Sequence, residues 1–98
     1  LVQMFAILQA ESIDPDHPAH DYFEHRPAII WQTLSNYQWK LPPQIGTWEN
    51  FKPLHRMALE AMDGIQLRWL RSDPIDLYDE WIAFERILFP SPVWDNYR

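Results

Sequence analysis

The stretch "TWENFKPLHRMALEAMDGIQLRWLRS" (residues 47–72) decides the fold class of this chain. Its apolar residues recur at intervals of three and four, which is the spacing of an α-helix that buries one face. That face carries Phe51, Leu54, Met57, Ala58, Ala61, Met62, Ile65 and Trp69. Leu59, Leu67 and Leu70 lie on the opposite side, so the predicted helix has two apolar faces. Thr47 or Asn50 is its predicted N-cap, and its predicted end is at about Ser72.

Prolines divide the first half of the chain. Residues 1–12 are apolar at almost every azimuth, which predicts a helix buried on all sides. Pro18 suits the first turn of a second helix, with Asp16 or His17 as its cap. Pro27 lies inside this second helix and predicts a kink or a split, because its ring collides with a carbonyl one turn earlier.

The last part of the chain predicts one more helix. Residues 72–76, "SDPID", read as a tight turn, and Asp76 is the predicted N-cap of a helix over 77–89. The remaining residues, 90–98, read as irregular. The whole pattern predicts an all-α fold without strands.

The composition limits the function. A length of 98 residues predicts a single domain, 1–98, and 47% hydrophobic residues exceed the needs of so small a core. We therefore expect a second buried surface, against a partner chain or a ligand. A net charge of −6 argues against contact with nucleic acid. The absence of cysteine excludes disulfides and thiolate metal sites and is compatible with the cytoplasm, and no membrane-spanning segment is predicted.

The segment "HPAHDYFEHR" (17–26) is the candidate for chemistry. One interpretation is a metal site made by His17, His20 and an acid such as Asp16 or Asp21. The preferred interpretation is a capped helix start with histidines at a solvated edge, so neither a metal nor a cofactor is predicted. "HPAH" lacks the glutamate of the HExxH motif, and the chain has no nucleophile–base pair or glycine-rich phosphate loop. We therefore expect no enzymatic activity.

Two charged residues interrupt predicted apolar stripes and need partners. For Arg26 the alternatives are an ion pair with Glu11 or Asp63, a bond to the helix-ending carbonyls around Ser12, or a role as anchor for an acidic effector. For Glu85 the alternatives are a solvated position at a rim or a pair, within or between chains, with Arg68, Arg71 or His55.

Two long segments together resemble the C-terminal regulatory domain of TetR-family transcriptional repressors. They are "LVQMFAILQAESIDPDHPAHDYFEHR" (1–26) and "ALEAMDGIQLRWLRSDPIDLYDEWIAFERILF" (58–89), and the likeness extends from Leu1 to Phe89. Pro27 departs from the family pattern, in which this helix is unbroken. The N-terminal helix-turn-helix of the family has no counterpart here, so the chain is expected to be the regulatory fragment, without its DNA-binding domain.

The resemblance implies a homodimer in which the last two helices of each chain form a four-helix bundle, and a small apolar or aromatic effector that changes DNA binding by the absent domain. The effector-binding residues it suggests are Phe5, Phe23, Arg26, Trp31 and Met62. The suggested dimer interface contains Leu59, Gly64, Leu67, Leu70, Tyr78, Ile82, Glu85 and Phe89. Two alternatives remain, namely a metal-binding helical protein that uses His17 and His20, and a purely structural dimerisation module.

Overall fold

The computed structural model describes residues 1–37, 39–71 and 75–98, and within these ranges it contains helices and no strand. The α-helices are α1 (Val2–Glu11), α2 (His20–Ser35), α3 (Trp48–Arg71) and α4 (Leu77–Leu88), followed by a short 3₁₀ helix, Asp95–Tyr97. The predicted all-α fold is confirmed. The chain divides into two compact units, Leu1–Gln38 and Trp39–Arg98. Most of the predicted turn at 72–76 lies outside the described residues.

The first helix has the predicted extent but not the predicted burial. No residue of α1 is buried, and Met4 and Ile7 expose 57% and 49% of their surface. The expectation of a helix buried on all sides was therefore wrong. Within its unit α1 has only α2 as a helical neighbour, and one neighbour covers one face of a helix. In the part of the chain that the structure describes, no helix has an apolar stretch long enough to cross a membrane.

The second helix begins two residues later than Pro18 and passes through Pro27. Its first residue is His20, and Ala19 at the N-cap position makes no side-chain capping bond. Residues 14–19 instead form turns in which the Asp14 carboxylate accepts the backbone N–H of Asp16 at 2.9 Å. Of the two alternatives predicted at Pro27, the split was wrong, because α2 runs as one helix from His20 to Ser35 and a proline removes only a single backbone donor. The kink stays a prediction.

Of the two residues predicted as the cap of α3, Thr47 is confirmed and Asn50 is not, and Asp76 is confirmed as the cap of α4. The Thr47 hydroxyl accepts the backbone N–H of Asn50 at 3.2 Å at the start of α3. Gly46 precedes this cap with a φ of +85°, a left-handed conformation that glycine adopts without strain. The Asp76 carboxylate accepts the backbone N–H groups of Tyr78 and Asp79, at 2.9 and 3.1 Å, at the start of α4.

The C-terminal tail is part of the core of this unit. Trp94 and Phe51 are each 9% exposed, and their ring centroids lie 6.0 Å apart. The Trp94 ring also meets the ring of Phe89 edge-on at 5.0 Å. Pro42, from the loop before α3, is fully buried. As expected, the tail is irregular apart from the short 3₁₀ helix. It packs on α3 and on the end of α4 because its tryptophan supplies apolar surface that is buried there.

Candidate functional site

Three of the five predicted effector-binding residues lie together in the first unit. The rings of Phe5 on α1 and Phe23 on α2 meet edge-on with centroids 5.2 Å apart. The ring of Tyr22 meets that of Phe23 at 5.0 Å. The guanidinium carbon of Arg26 lies 5.0 Å from the centroid of the Phe5 ring, a cation–π arrangement. We call Phe5, Tyr22, Phe23 and Arg26 the aromatic cluster.

The other two predicted effector-binding residues are placed elsewhere. Trp31 is half-buried further along α2, and Met62 is half-buried on α3 in the second unit. The carbonyl of Ser12, one of the predicted partners of Arg26, is bonded to the imidazole of His20. The guanidinium of Arg26 lies over the ring of Phe5, a contact that the sequence interpretation did not consider.

The aromatic cluster combines apolar surface with a fixed cation. A guanidinium group has five N–H donors in a planar fork that matches a carboxylate, and it keeps its charge at any physiological pH. The rings of Phe5 and Phe23 are half-buried and pack on each other, and the Phe5 ring lies under this guanidinium. A guanidinium beside aromatic rings is a combination of groups that suits an aromatic acid.

His20 links the turn after α1 to the first turn of α2. Its Nδ1 atom lies 2.7 Å from the carbonyl oxygen of Ser12, and its Nε2 atom lies 3.0 Å from a carboxylate oxygen of Glu24. The hydrogen bond to Ser12 is the main cause of a raised pKa of His20, to which the negative charges of Glu24 and Asp21 add. Among the described residues, one atom each of His20, Asp21 and Glu24 lie within 4.8 Å of one another and can face a common metal ion.

The two other histidines of this segment are placed differently. His17 accepts the backbone N–H of Ala19 at its Nδ1 atom, at 3.1 Å. His25 has its Nδ1 atom 2.7 Å from the carbonyl oxygen of Asp21. Neither belongs to the group of His20, Asp21 and Glu24.

The tail contacts part of the predicted dimer interface on α4. Arg98 forms an ion pair with Glu85 and donates to the carbonyl of Phe89, whose ring packs on Trp94. The observed partner of Glu85 is therefore an arginine that the sequence interpretation did not consider. Arg68, one of its predicted partners, forms an ion pair with Glu80.

The predicted interface residues differ in exposure. Leu67, Leu70 and Tyr78 expose 48%, 38% and 70% of their surface, and Gly64 is also exposed. A Cβ atom added at Gly64 would meet no atom within 4 Å. Leu59, Ile82, Glu85 and Phe89 are half-buried within the chain. The open part of the predicted interface thus lies on α3 and at the start of α4.

One side of α3 carries four exposed residues at intervals of four, three and four, namely Glu60, Gly64, Leu67 and Arg71. At 100° per residue these four positions fall within about 60° of each other around the helix. We call this set the α3 stripe. The predicted interface included Gly64 and Leu67 but not Glu60 or Arg71, and Arg71 was considered only as a partner of Glu85. The palindromic spacing was the signal that could have found them.

Comparisons with known proteins add no relative: no protein-family model, no curated protein and no solved structure matches this chain.

Proposed function

We propose that this chain is the regulatory domain of a TetR-like transcriptional repressor of the cytoplasm, which forms a homodimer and binds a small aromatic effector. The resemblance of the two long sequence segments supports the family. The α3 stripe is the observation that carries the homodimer, and the aromatic cluster supports the effector. By analogy with the family, effector binding would change the DNA affinity of a helix-turn-helix outside this chain.

The α3 stripe is complementary to itself. An interface with two-fold symmetry requires that residue i of one chain meets residue j of the other, and the reverse. If two copies of α3 pack antiparallel about the midpoint between residues 65 and 66, Gly64 lies opposite the partner's Leu67. Glu60 then lies opposite the partner's Arg71, about 8 Å along the helix from the symmetry axis.

This packing satisfies both the shape and the charge of the stripe. Gly64 has open space where a side chain would begin, so it can receive the exposed leucine of a second copy. The glutamate and the arginine, both exposed, form two ion pairs across the dimer. A parallel arrangement would place like charges together at both positions, which is unfavourable.

The oligomeric state of charge-swapped variants tests the proposal. We expect a dimer by light scattering after size exclusion for the unaltered chain. Glu60→Arg and Arg71→Glu should each weaken the dimer about tenfold, since each replaces two attractive pairs by two repulsive ones. The double variant Glu60→Arg/Arg71→Glu should recover the original affinity, because every pair is restored with its charges exchanged.

The matched control is Lys40→Glu, which makes the same inversion of charge at an exposed position of the loop before α3, outside both helices of the predicted interface. It should leave the dimer affinity within about twofold of the original, since a surface charge remote from the contact contributes little. Even a weak dimer, with a Kd of about 100 μM, would be partly formed at a chain concentration of about 100 μM. A chain that is fully monomeric at that concentration would therefore contradict the proposal. A double variant as weak as the single variants would exclude the antiparallel packing.

The effector part of the proposal is tested with two probes of the same shape. The nuclear magnetic resonance signals of the Phe5 and Phe23 rings should shift when 2-naphthoate is added. 2-Naphthol should cause the same shifts, but with a lower affinity. Arg26→Met should weaken 2-naphthoate about tenfold and leave 2-naphthol unchanged, because only the acid uses the guanidinium charge. A large loss of melting temperature with unchanged 2-naphthoate affinity would instead assign Arg26 a structural role.

The regulatory assignment also makes a genetic prediction. The coding sequence upstream of the codon for Leu1 should encode a basic helix-turn-helix of three helices. An upstream region without one would remove the basis for DNA regulation, and the dimer and effector tests would then describe a binding module of another kind.

A further inference from the structure

We propose that the first turn of α2 binds a divalent transition-metal ion of the Zn²⁺ type through His20, Asp21 and Glu24. This site is independent of the homodimer and of the aromatic cluster. The ligand atoms of these three residues lie within 4.8 Å of one another, and two of them, His20 Nε2 and a Glu24 carboxylate oxygen, are 3.0 Å apart. Two ligand atoms around a tetrahedral Zn²⁺ ion are about 3.4 Å apart, given bonds of about 2.0–2.2 Å.

The tautomer of His20 favours metal binding. A carbonyl oxygen only accepts hydrogen bonds, so the Nδ1 atom of neutral His20 carries the proton that it donates to Ser12 at 2.7 Å. The lone pair of the neutral ring is therefore on Nε2, the atom that lies 3.0 Å from a carboxylate oxygen of Glu24. Histidines that bind metals typically donate their other N–H to a carbonyl or carboxylate, which fixes the ring. Ser12 is only 3% exposed and is the C-cap of α1, so the end of this helix holds the accepting carbonyl in place.

His17 has the opposite tautomer. Its Nδ1 atom accepts a backbone N–H, so the proton of the neutral ring is on Nε2, and no nitrogen has a free lone pair. This excludes the combination of His17 and His20 that the sequence suggested as a metal site, as long as the turn keeps its structure. His20 is therefore the nitrogen ligand.

The two carboxylates complete the set of ligands. Asp21 and Glu24 are exposed, so their side chains can rotate to reach a common ion. Together with neutral His20 they provide one nitrogen and two negatively charged oxygens, which leaves a coordination position for water. A set with an imidazole favours Zn²⁺ over Mg²⁺, since Mg²⁺ prefers oxygen ligands and retains its water.

The first test is calorimetric titration of the full chain with Zn²⁺. We expect one ion per chain, with the largest nuclear magnetic resonance changes at the His20 ring, and no comparable binding of Mg²⁺. His20→Gln should weaken Zn²⁺ binding about 100-fold or more, and Glu24→Gln about tenfold. Bound Zn²⁺ should also raise the melting temperature of the unaltered chain, because the ion binds only the folded turn.

His25→Gln is the matched control. His25 lies on the same helix, and its Nδ1 atom donates to a carbonyl oxygen at the same distance of 2.7 Å, but it is outside the ligand group. This variant should keep the Zn²⁺ affinity within about twofold. Equal losses for His20→Gln and His25→Gln, or Mg²⁺ binding equal to Zn²⁺ binding, would overturn the proposal in favour of unspecific surface binding.

A pair of carboxylate variants separates the loss of a metal ligand from the loss of folded structure. Glu24→Gln and Asp21→Asn leave the bond between His20 and Ser12 intact, so far-ultraviolet circular dichroism should show unchanged helix content. If both variants are folded and bind Zn²⁺ as tightly as the unaltered chain, the contact between His20 and Glu24 is an ordinary ion pair within a helix and the proposal fails.

Discussion

The indole ring of Trp94 packs on the ring of Phe51, with their centroids 6.0 Å apart, and thereby joins the C-terminal tail to the start of α3. Both side chains are 9% exposed. Removal of a buried aromatic side chain typically costs about 3–5 kcal/mol. We therefore predict that Trp94→Ala lowers the free energy of unfolding of the second unit by about 3–5 kcal/mol in urea titrations.

Trp39→Ala provides the comparison, since Trp39 is 59% exposed. The same chemical change there should lower the free energy of unfolding by less than about 1 kcal/mol. Similar losses for the two variants would show that the tail does not contribute to the core.

Gly64→Ala should have opposite effects on the folded chain and on the dimer. An added Cβ meets no atom within 4 Å, and alanine has a higher helix propensity, so the isolated chain should gain about 1 kcal/mol. The same methyl group enters the space proposed for the partner's Leu67 and should weaken the dimer. Urea unfolding at low protein concentration and sedimentation equilibrium measure the two effects separately. A stronger dimer would contradict the proposed packing.

Asp76 should stabilise the second unit by capping the start of α4 with its side chain. It accepts two backbone N–H groups at the start of α4, from Tyr78 and Asp79. We predict that Asp76→Ala lowers the free energy of unfolding by about 1 kcal/mol, as expected for loss of an N-cap. Asp76→Asn keeps an acceptor at this position and should lose less. Equal losses for the two variants would show that the charge, and not the capping bond, is what stabilises the helix.

The accuracy of the sequence predictions depended on whether a feature is local. The caps Thr47 and Asp76 were predicted because a cap is set by a few neighbouring residues. The packing of Trp94 on Phe51 joins distant parts of the chain, and no local pattern indicates it.

The candidate sites follow the same rule. Phe5 and Phe23 were suggested as effector-binding residues by the family resemblance, and their rings meet in the structure, while effector binding itself stays a prediction. The tautomers of His17 and His20 depend on which backbone group each ring contacts in the turns after α1. The sequence alone therefore does not show which of the two histidines has a nitrogen lone pair for a metal ion. The start of α2 at His20 was missed because Pro18 permits a helix start without requiring one.

His20 should lose its stabilising effect as the pH rises. Its pKa is raised above 6.5, chiefly by the hydrogen bond to Ser12 and further by Glu24 and Asp21. The folded state therefore binds the proton more tightly than the unfolded state, so the contribution is complete below pH 6.5 and is lost as the pH rises through the folded pKa. Nuclear magnetic resonance titration of the His20 ring, with a metal chelator present, should give a midpoint above 6.5.

Glu24→Gln separates the contributions to this pKa. It removes one negative charge and keeps the Ser12 bond, so the midpoint should decrease but remain above the ordinary histidine value of 6.5. A midpoint that returns fully to that value would assign the whole effect to the carboxylate.

His55 should have the opposite dependence on pH. It is half-buried on α3 with its ring 6.0 Å from that of Phe51, and burial lowers its pKa below 6.5. The unfolded state then binds the proton more tightly, so the second unit should lose stability as the pH falls from 6.5 through the folded pKa. Nuclear magnetic resonance titration should give a midpoint below 6.5. His55→Gln, which does not titrate, should reduce the dependence of the urea midpoint on pH in this range. An unchanged dependence would assign the loss of stability to other groups.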